Sequence, residues 1–344
     1  MIDFFNKKAW LKIFSHLKNK KLLTMFLLGF SAGLPLLLVF TTLSAWLRDE
    51  NIVRSTIGFF GWVTIFYGLK FLWAPLIDSI KLPLIHNILG KRRSWLLLTQ
   101  ISIGIFLYLL ATISPNSESL ITFAICALFV SFFSASQDIV VDGYRVDILK
   151  PNERGIGSSI QLLGYRLGML VSGSLALIAA SKFGWKFSYF SMAVVMFVLM
   201  CSSLCIPEPC RNVNIEKVSW RSYLLPYRSM IAKKDVWIVV MFVLLYKLSD
   251  NLVFNLNMFF LLKVIHFKLS TVGYVSNVVS MVGLLLGSVI AGVIMYRISL
   301  YRALMIFGWF QLLSNLGYVW IAVSGKKIVV MAIGLFLEKK GMMN

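Results

Sequence analysis

Nine stretches of this chain are each long and apolar enough to cross a lipid bilayer, and nothing else in the sequence restricts its fold as much. A span needs roughly 20 apolar residues. We read spans at 22–47, 53–77, 93–113, 119–147, 155–181, 185–206, 236–262, 270–296 and 300–323. A tenth run, Ile328–Leu337, is cut off by Glu338-Lys339-Lys340 and is too short to cross. Lipid offers no hydrogen bonds to the backbone, so segments of this length must be helices. Composition agrees: 59% of residues are hydrophobic, with a mean hydropathy of +0.82. An all-α membrane protein is the only class that fits.

The net charge of +20 could suggest a nucleic-acid partner. The basic residues sit between the apolar runs, however, with no soluble domain to carry a basic groove, so we exclude nucleic acid and read the charge as topology. Lys18, Lys20 and Lys21 precede the first span, and Lys91, Arg92 and Arg93 follow the second. Arg228, Lys233 and Lys234 follow the sixth, and the intervening loops are poorer in Lys and Arg. The positive-inside rule then places the N-terminus in the cytoplasm. The longest polar interval, 207–235, also falls inside. It divides the chain into a basic N-terminus at 1–21, a six-helix bundle at 22–206, a cytoplasmic linker at 207–235 and an incomplete second bundle at 236–344. The first 21 residues read as a basic lead-in rather than an interfacial helix, and the first apolar run is too long for a signal peptide. Cys126, Cys201, Cys205 and Cys210 have no histidines arranged for zinc and read as small buried apolar residues. No enzyme motif, cofactor-binding motif or metal-ligand spacing appears.

Charges inside the spans carry the functional signal, because an Asp or Arg at a helix centre costs about 2.5–3.5 kcal/mol on insertion scales. Asp138, Asp142 and Arg145 are spaced i, i+4, i+7 and share one narrow arc of the fourth helix. Lipid does not tolerate such a face, so it must line a polar interior. Asp142 can pair with Arg145 within the helix, which leaves Asp138 as the first choice for a proton-coupling group, with Asp142 second. A carboxyl in low dielectric can load and release protons. Asp147 falls on the opposite side of that helix, near its cytoplasmic end, and reads as interfacial.

Arg166 cannot shed its proton and needs a carboxylate, either Asp138 or Asp142 or one carried by a substrate. Lys70, with Tyr67 and Trp73 three residues to either side, either lines the interior or reaches toward the interface near Asp78. Lys247 and Asp250 open the polar start of the seventh helix. Gln311 and Asn315 form a polar face on the ninth. Gly29, Gly33 and Pro35 permit a bend in the first helix, and the fifth is rich in small residues suited to close packing.

Several runs carry a family resemblance. They include Gly29-Phe30-Ser31-Ala32-Gly33-Leu34-Pro35-Leu36, Lys70-Phe71-Leu72-Trp73-Ala74-Pro75-Leu76-Ile77-Asp78 and Gly90-Lys91-Arg92-Arg93-Ser94-Trp95. Ser134-Ala135-Ser136-Gln137-Asp138-Ile139-Val140, Glu153-Arg154-Gly155, Leu163-Gly164-Tyr165-Arg166-Leu167-Gly168-Met169, Tyr246-Lys247-Leu248-Ser249-Asp250 and Arg297-Ile298-Ser299-Leu300-Tyr301-Arg302-Ala303-Leu304 complete the set. Together the chain resembles the AmpG-type muropeptide permeases of the major facilitator superfamily. The resemblance implies a six-helix N-terminal bundle followed by a second bundle. It implies proton-coupled carriage of N-acetylglucosaminyl-anhydro-muramyl peptides from periplasm to cytoplasm across the bacterial inner membrane, for cell-wall recycling. It makes Tyr67, Lys70, Gln137, Arg166, Lys247, Asp250, Gln311 and Asn315 candidate substrate contacts. Asp78 with Arg92 and Arg93 becomes a cytoplasmic gate, and a weaker second copy of that loop lies around Tyr296, Arg297 and Arg302.

The resemblance also implies at least 12 helices, whereas this chain stops in the tenth. The expected architecture is therefore nine full helices and a stub. Two alternatives follow: a degenerate or split-gene protein that needs a second chain for the missing helices, or a carrier of another anionic solute such as acetyl-CoA.

Overall fold

A computed structural model describes residues 20–209 (apart from 84, 117, 151 and 152), 227–245 (apart from 235), 260–267, single positions between 272 and 298, and 300–341. Expectations for the N-terminal lead-in, Lys247, Asp250, Tyr296, Arg297 and most of the 270–296 span lie outside the described residues. So does the side chain of Asn315. Seven helices among the described residues are long and apolar enough to cross a membrane. They fall in two units divided between 218 and 219.

The first unit holds α1 (Lys20–Asp49), α2 (Ser55–Leu72), α3 (Lys91–Thr112), α4 (Leu120–Ile148), α5 (Arg154–Phe183) and α6 (Trp185–Leu204). These match the first six expected spans closely. In α1, 67% of the most apolar window is buried, against 11% in α2, so α1 is central to the unit and α2 peripheral.

α1 packs against α5 backbone to backbone. A Cβ added at Gly29 or Gly33 would strike the carbonyl oxygens of Gln161 or Tyr165. Added at Gly164 or Gly168, it would strike those of Phe26 or Phe30. Two glycine pairs at i, i+4 thus face each other, the small-residue spacing that lets membrane helices approach closely. Pro35 lies inside the helix Lys20–Val39, which breaks at Phe40 and resumes as Thr41–Asp49. Proline removes one backbone donor within the helix, which nevertheless runs on to Val39 before the interruption at Phe40. At the same level α5 widens into a π-turn at Val171–Leu175, and the Thr42 hydroxyl donates to the Ser172 carbonyl at 2.9 Å.

α2 departs from expectation. In place of one continuous helix over 53–77, it consists of helix Arg54–Phe60, a 3-10 turn Gly61–Thr64, helix Ile65–Leu69, a second 3-10 turn Lys70–Leu72 and helix Ala74–Ser79. Gly58, Gly61 and Gly68 weaken it, and a Cβ at any of them would meet nothing within 4 Å among the described residues, so no contact there requires glycine. Pro75 begins the last piece. The Ser131 hydroxyl of α4 donates to the Val63 carbonyl at 2.5 Å, supplying a partner at the interruption.

The apolar core of this unit is split in two. One half gathers Leu34, Leu38, Trp46, Ile103, Phe123 and Tyr189 among others. The second gathers Met25, Leu28, Leu96, Val140 and Tyr144. Between them lies a polar layer: the Gln137 and Gln100 amides donate to the Ser31 hydroxyl at 2.7 and 3.2 Å, and Ser31 donates to the Leu28 carbonyl. At one end Trp46 stacks on Trp185 at 5.9 Å, and the Trp185 indole donates to Asp49 at 2.7 Å. Such amphipathic rings suit a membrane interface. Cys126 is buried as expected, whereas Cys201 on α6 and Cys205 just past its end are exposed.

In the second unit α7 (Val236–Leu245) is apolar but short, and a π-turn follows at Phe260–Val264. α8 (Leu300–Ser324) and α9 (Ile328–Gly341) pack together, with Gly317 against Gly334. Leu261, Phe267, Ile321, Met331 and Leu335 form their core. The expected stub at 328–337 continues as helix through Glu338-Lys339-Lys340. At 1.5 Å per residue it is about 21 Å long, short of the ~30 Å hydrocarbon thickness.

Candidate functional site

A cavity of about 290 Å³ opens within the first unit. It is lined by Ala32 of α1, Lys70 of α2, Asp138, Asp142 and Arg145 of α4, and Ser158, Gln161, Leu162 and Tyr165 of α5. Two ion pairs line it. Lys70 Nζ lies 3.2 Å from Asp138 Oδ2, and Arg145 Nη2 lies 3.3 Å from Asp142 Oδ1. The Asp138 side chain is 12% exposed and that of Asp142 is 49% exposed, so Asp138 sits in the drier place. Gln161 joins the second pair: Arg145 Nη1 donates to Gln161 Oε1 at 3.2 Å, and Gln161 Nε2 donates to Asp142 Oδ1 at 3.3 Å.

The shared face of Asp138, Asp142 and Arg145 therefore lines a polar interior. Lys70 is the partner that spacing left open. At the 3-10 turn beginning at Lys70, α2 meets α4 a second time, and the adjacent Trp73 indole donates to the Ser136 hydroxyl at 3.0 Å. The Tyr67 hydroxyl is buried close to Asp138 and Ser134 but does not line the cavity.

Two expectations need correction. Arg166 does not join Asp138 or Asp142. Its Nη1 donates to the Met169 sulfur at 3.6 Å, and its Nε has no hydrogen-bond partner among the described residues. On α5 it stands about 140° around from Gln161, on another face. Gln137 is fully buried and donates to Ser31 instead of reaching the cavity, because it lies about 100° around α4 from Asp138. In the second unit Gln311 is buried, and the Ser314 hydroxyl donates to its carbonyl at 2.8 Å.

A second charged cluster ties together the ends of several helices. Arg92 Nη1 lies 2.6 Å from Asp78 Oδ1, and its Nε lies 2.8 Å from Asp147 Oδ2. Asp147, read as interfacial, has a side chain only 6% exposed and faces Arg92 on the side of α4 away from the cavity. The Glu208 carboxylate accepts the backbone N–H groups of Arg92 and Arg93 at 2.8 and 3.1 Å, capping the start of α3. Arg93 in turn donates to the Leu204 carbonyl at the end of α6. Lys91 donates to the Asp78 carbonyl. Gly90 has φ 83°, a conformation that favours glycine, and a Cβ there would press on the Glu208 side chain that caps α3. Sequence placed Asp147 on this side of α4 without its partner and did not single out Glu208; the Pro207-Glu208-Pro209 step at the end of the sixth span is the one local signal for the latter.

Arg92→Lys keeps the charge but loses the planar fork that reaches two carboxylates. We expect it to destabilise the bundle by about 2 kcal/mol, the worth of a hydrogen bond to a charged group. Thermal unfolding in detergent measures this, and an unchanged midpoint refutes it.

A bundle of membrane-crossing helices around a charge-lined cavity is the build of a polytopic solute carrier. Residues 22–342 match the family model of the Major Facilitator Superfamily. The chain belongs to that family of membrane transporters. It is 38% identical to the anhydromuropeptide permease of Escherichia coli K12, over 96% of this chain and 66% of that protein. It thus spans a little less than two thirds of that relative's length. An uncharacterized protein of Haemophilus influenzae is 31% identical over 94% of this chain and 76% of its own. Among solved structures the proton:xylose symporter XylE, bound to 6-bromo-6-deoxy-D-glucose, aligns with a TM-score of 0.60 at 13% identity, covering 94% of this chain and 79% of that one. At that identity it speaks for the fold alone.

Proposed function

We propose that this chain carries anhydro-muropeptides, N-acetylglucosaminyl-anhydro-muramyl peptides, from periplasm to cytoplasm across the bacterial inner membrane, in symport with protons. The observation that carries the substrate class is the 38% identity to the anhydromuropeptide permease along nearly the whole of this chain. The N-terminus is cytoplasmic in this reading, by the distribution of Lys and Arg. Asp138 is the coupling acid. When it takes a proton it releases Lys70, and the cation becomes available to substrate oxygens. Arg166, without a carboxylate partner among the described residues, is the candidate contact for an anionic group of the cargo. In this reading the polar starts of the later helices complete the path, and Tyr67 stands behind Asp138 outside the cavity lining. Asp78, Arg92 and Arg93 form the cytoplasmic latch, where Arg92 bridges two acids.

Vesicles containing the full chain are to be given labelled anhydro-muropeptide with and without an inward proton gradient. Accumulation above the outside concentration only with the gradient is the expected result. Equal uptake in empty vesicles, or uptake indifferent to the gradient, counts against this reading.

A further inference from the structure

We propose that Gln161 is a positioning residue that holds Asp142 in its ion pair with Arg145, and so leaves Asp138 as the only exchangeable acid of the cavity. The inference deepens the proton-coupled reading above and rests on it.

The cavity contains two aspartates one turn apart on one helix face, Asp138 in the drier place and Asp142 half exposed, and exposure is not all that separates them. Their partners do. Asp138 has one ion-pair partner, Lys70, whose side chain is 36% exposed and comes from the broken helix α2. Asp142 has two partners joined to each other: Arg145, Gln161 and Asp142 close a ring whose three edges are 3.2, 3.3 and 3.3 Å. The ring needs a side chain that donates and accepts at once, and the Gln161 amide does both, receiving the guanidinium N–H on its oxygen and giving an N–H to the carboxylate. Glutamate would add a second negative charge beside Asp142, and methionine would satisfy neither neighbour.

Gln161 is also fixed from behind. Its backbone carbonyl lies where a Cβ on Gly29 would be, so the tight crossing of α1 and α5 sets the position from which its amide reaches the pair. The charged and titratable groups around Asp142 are Asp138 and Arg145 on α4, Tyr165 on α5 and Lys70 across the cavity on α2; α1 contributes only Ala32. Of these, Arg145 alone is in salt-bridge contact with Asp142, and Gln161 is what orients it.

Dicyclohexylcarbodiimide modifies protonated carboxyls in apolar surroundings, so it reads the two acids separately and without transport. The purified full chain is treated with it across a pH series, and adducts at Asp138 and Asp142 are counted by peptide mass spectrometry. In the native chain the adduct is expected at Asp138, increasing as the pH falls, with Asp142 nearly unmodified. Gln161→Met should raise modification of Asp142 about tenfold, the factor that loss of a hydrogen bond to a charged group gives, with Asp138 unchanged. Gln161→Asn, which keeps the amide but shortens its reach, should fall between the two, and it decides the matter if the methionine variant does not fold. An equal rise at both aspartates would mean a loosened bundle and overturn the proposal, as would no rise at Asp142. If the native chain is modified at Asp142 and not at Asp138, the assignment of Asp138 as coupling acid fails as well. If Asp138 behaves as expected and the Gln161 variants change nothing, only the role of Gln161 fails.

Discussion

Gly33→Leu is expected to prevent the first bundle from assembling. A Cβ at this position already meets the backbone carbonyl of Tyr165, and a leucine adds three more carbons in the same direction. Overpacked cores usually relieve strain by moving side chains, at a cost of about 1–3 kcal/mol. Here the obstacle is backbone, so α1 and α5 must separate, and the loss should exceed that range. Gly164→Leu, pressing on Phe26 from the other helix, should do the same. Gly58→Ala and Gly61→Ala in α2 are the controls. Nothing lies within 4 Å of a Cβ at either, so each should be neutral or stabilise by up to ~1 kcal/mol through helix propensity. Size-exclusion profiles and unfolding midpoints in detergent separate these outcomes. A Gly33→Leu protein as monodisperse and as stable as the native one would refute the backbone crossing.

The extent of what could be read from sequence follows from which interactions are local. Span positions depend on runs of apolar residues, and α1, α3, α4, α5 and α6 fall where hydropathy places them. The interruption of α2 was harder to see, since Gly58, Gly61 and Gly68 are also common in packed membrane helices; only the open space beside them distinguishes looseness from contact. In the cavity, the Asp142–Arg145 pair was legible because both residues sit on one helix at i, i+3. The Lys70–Asp138 pair was not, because 68 residues separate its members and helical periodicity says nothing about which faces of two helices meet. Arg166 illustrates the same limit. The need of a buried cation for an anion was sound physics, but the rotation of α5 that turns Gln161 and Tyr165 to the cavity carries Arg166 away from it. Asp147 was placed correctly on the opposite side of α4 from Asp138, and its partner Arg92 comes from a helix that spacing could not bring there.

Asp138→Asn is expected to abolish proton-driven accumulation while sparing much of downhill exchange. The amide keeps the size of the carboxyl and can still face Lys70, but it cannot exchange a proton at any working pH. It also removes the negative charge opposite Lys70, which is 36% exposed and can remain solvated, so the bundle should survive the change. A coupling acid is needed only where the gradient does work; exchange of labelled for unlabelled substrate at equal concentrations needs binding and reorientation alone. Accumulation should therefore fall to the level of vesicles without a gradient, and exchange by no more than a few-fold. Asp142→Asn takes the negative charge out of the ring with Arg145 and Gln161 and should weaken both modes together, since what it loses is the ion pair that fixes this part of the cavity wall. Should Asp138→Asn impair both modes equally, Asp138 is a binding or packing residue. Should it impair neither, coupling belongs to another acid, and the pairing of Lys70 with Asp138 is a structural clasp between α2 and α4.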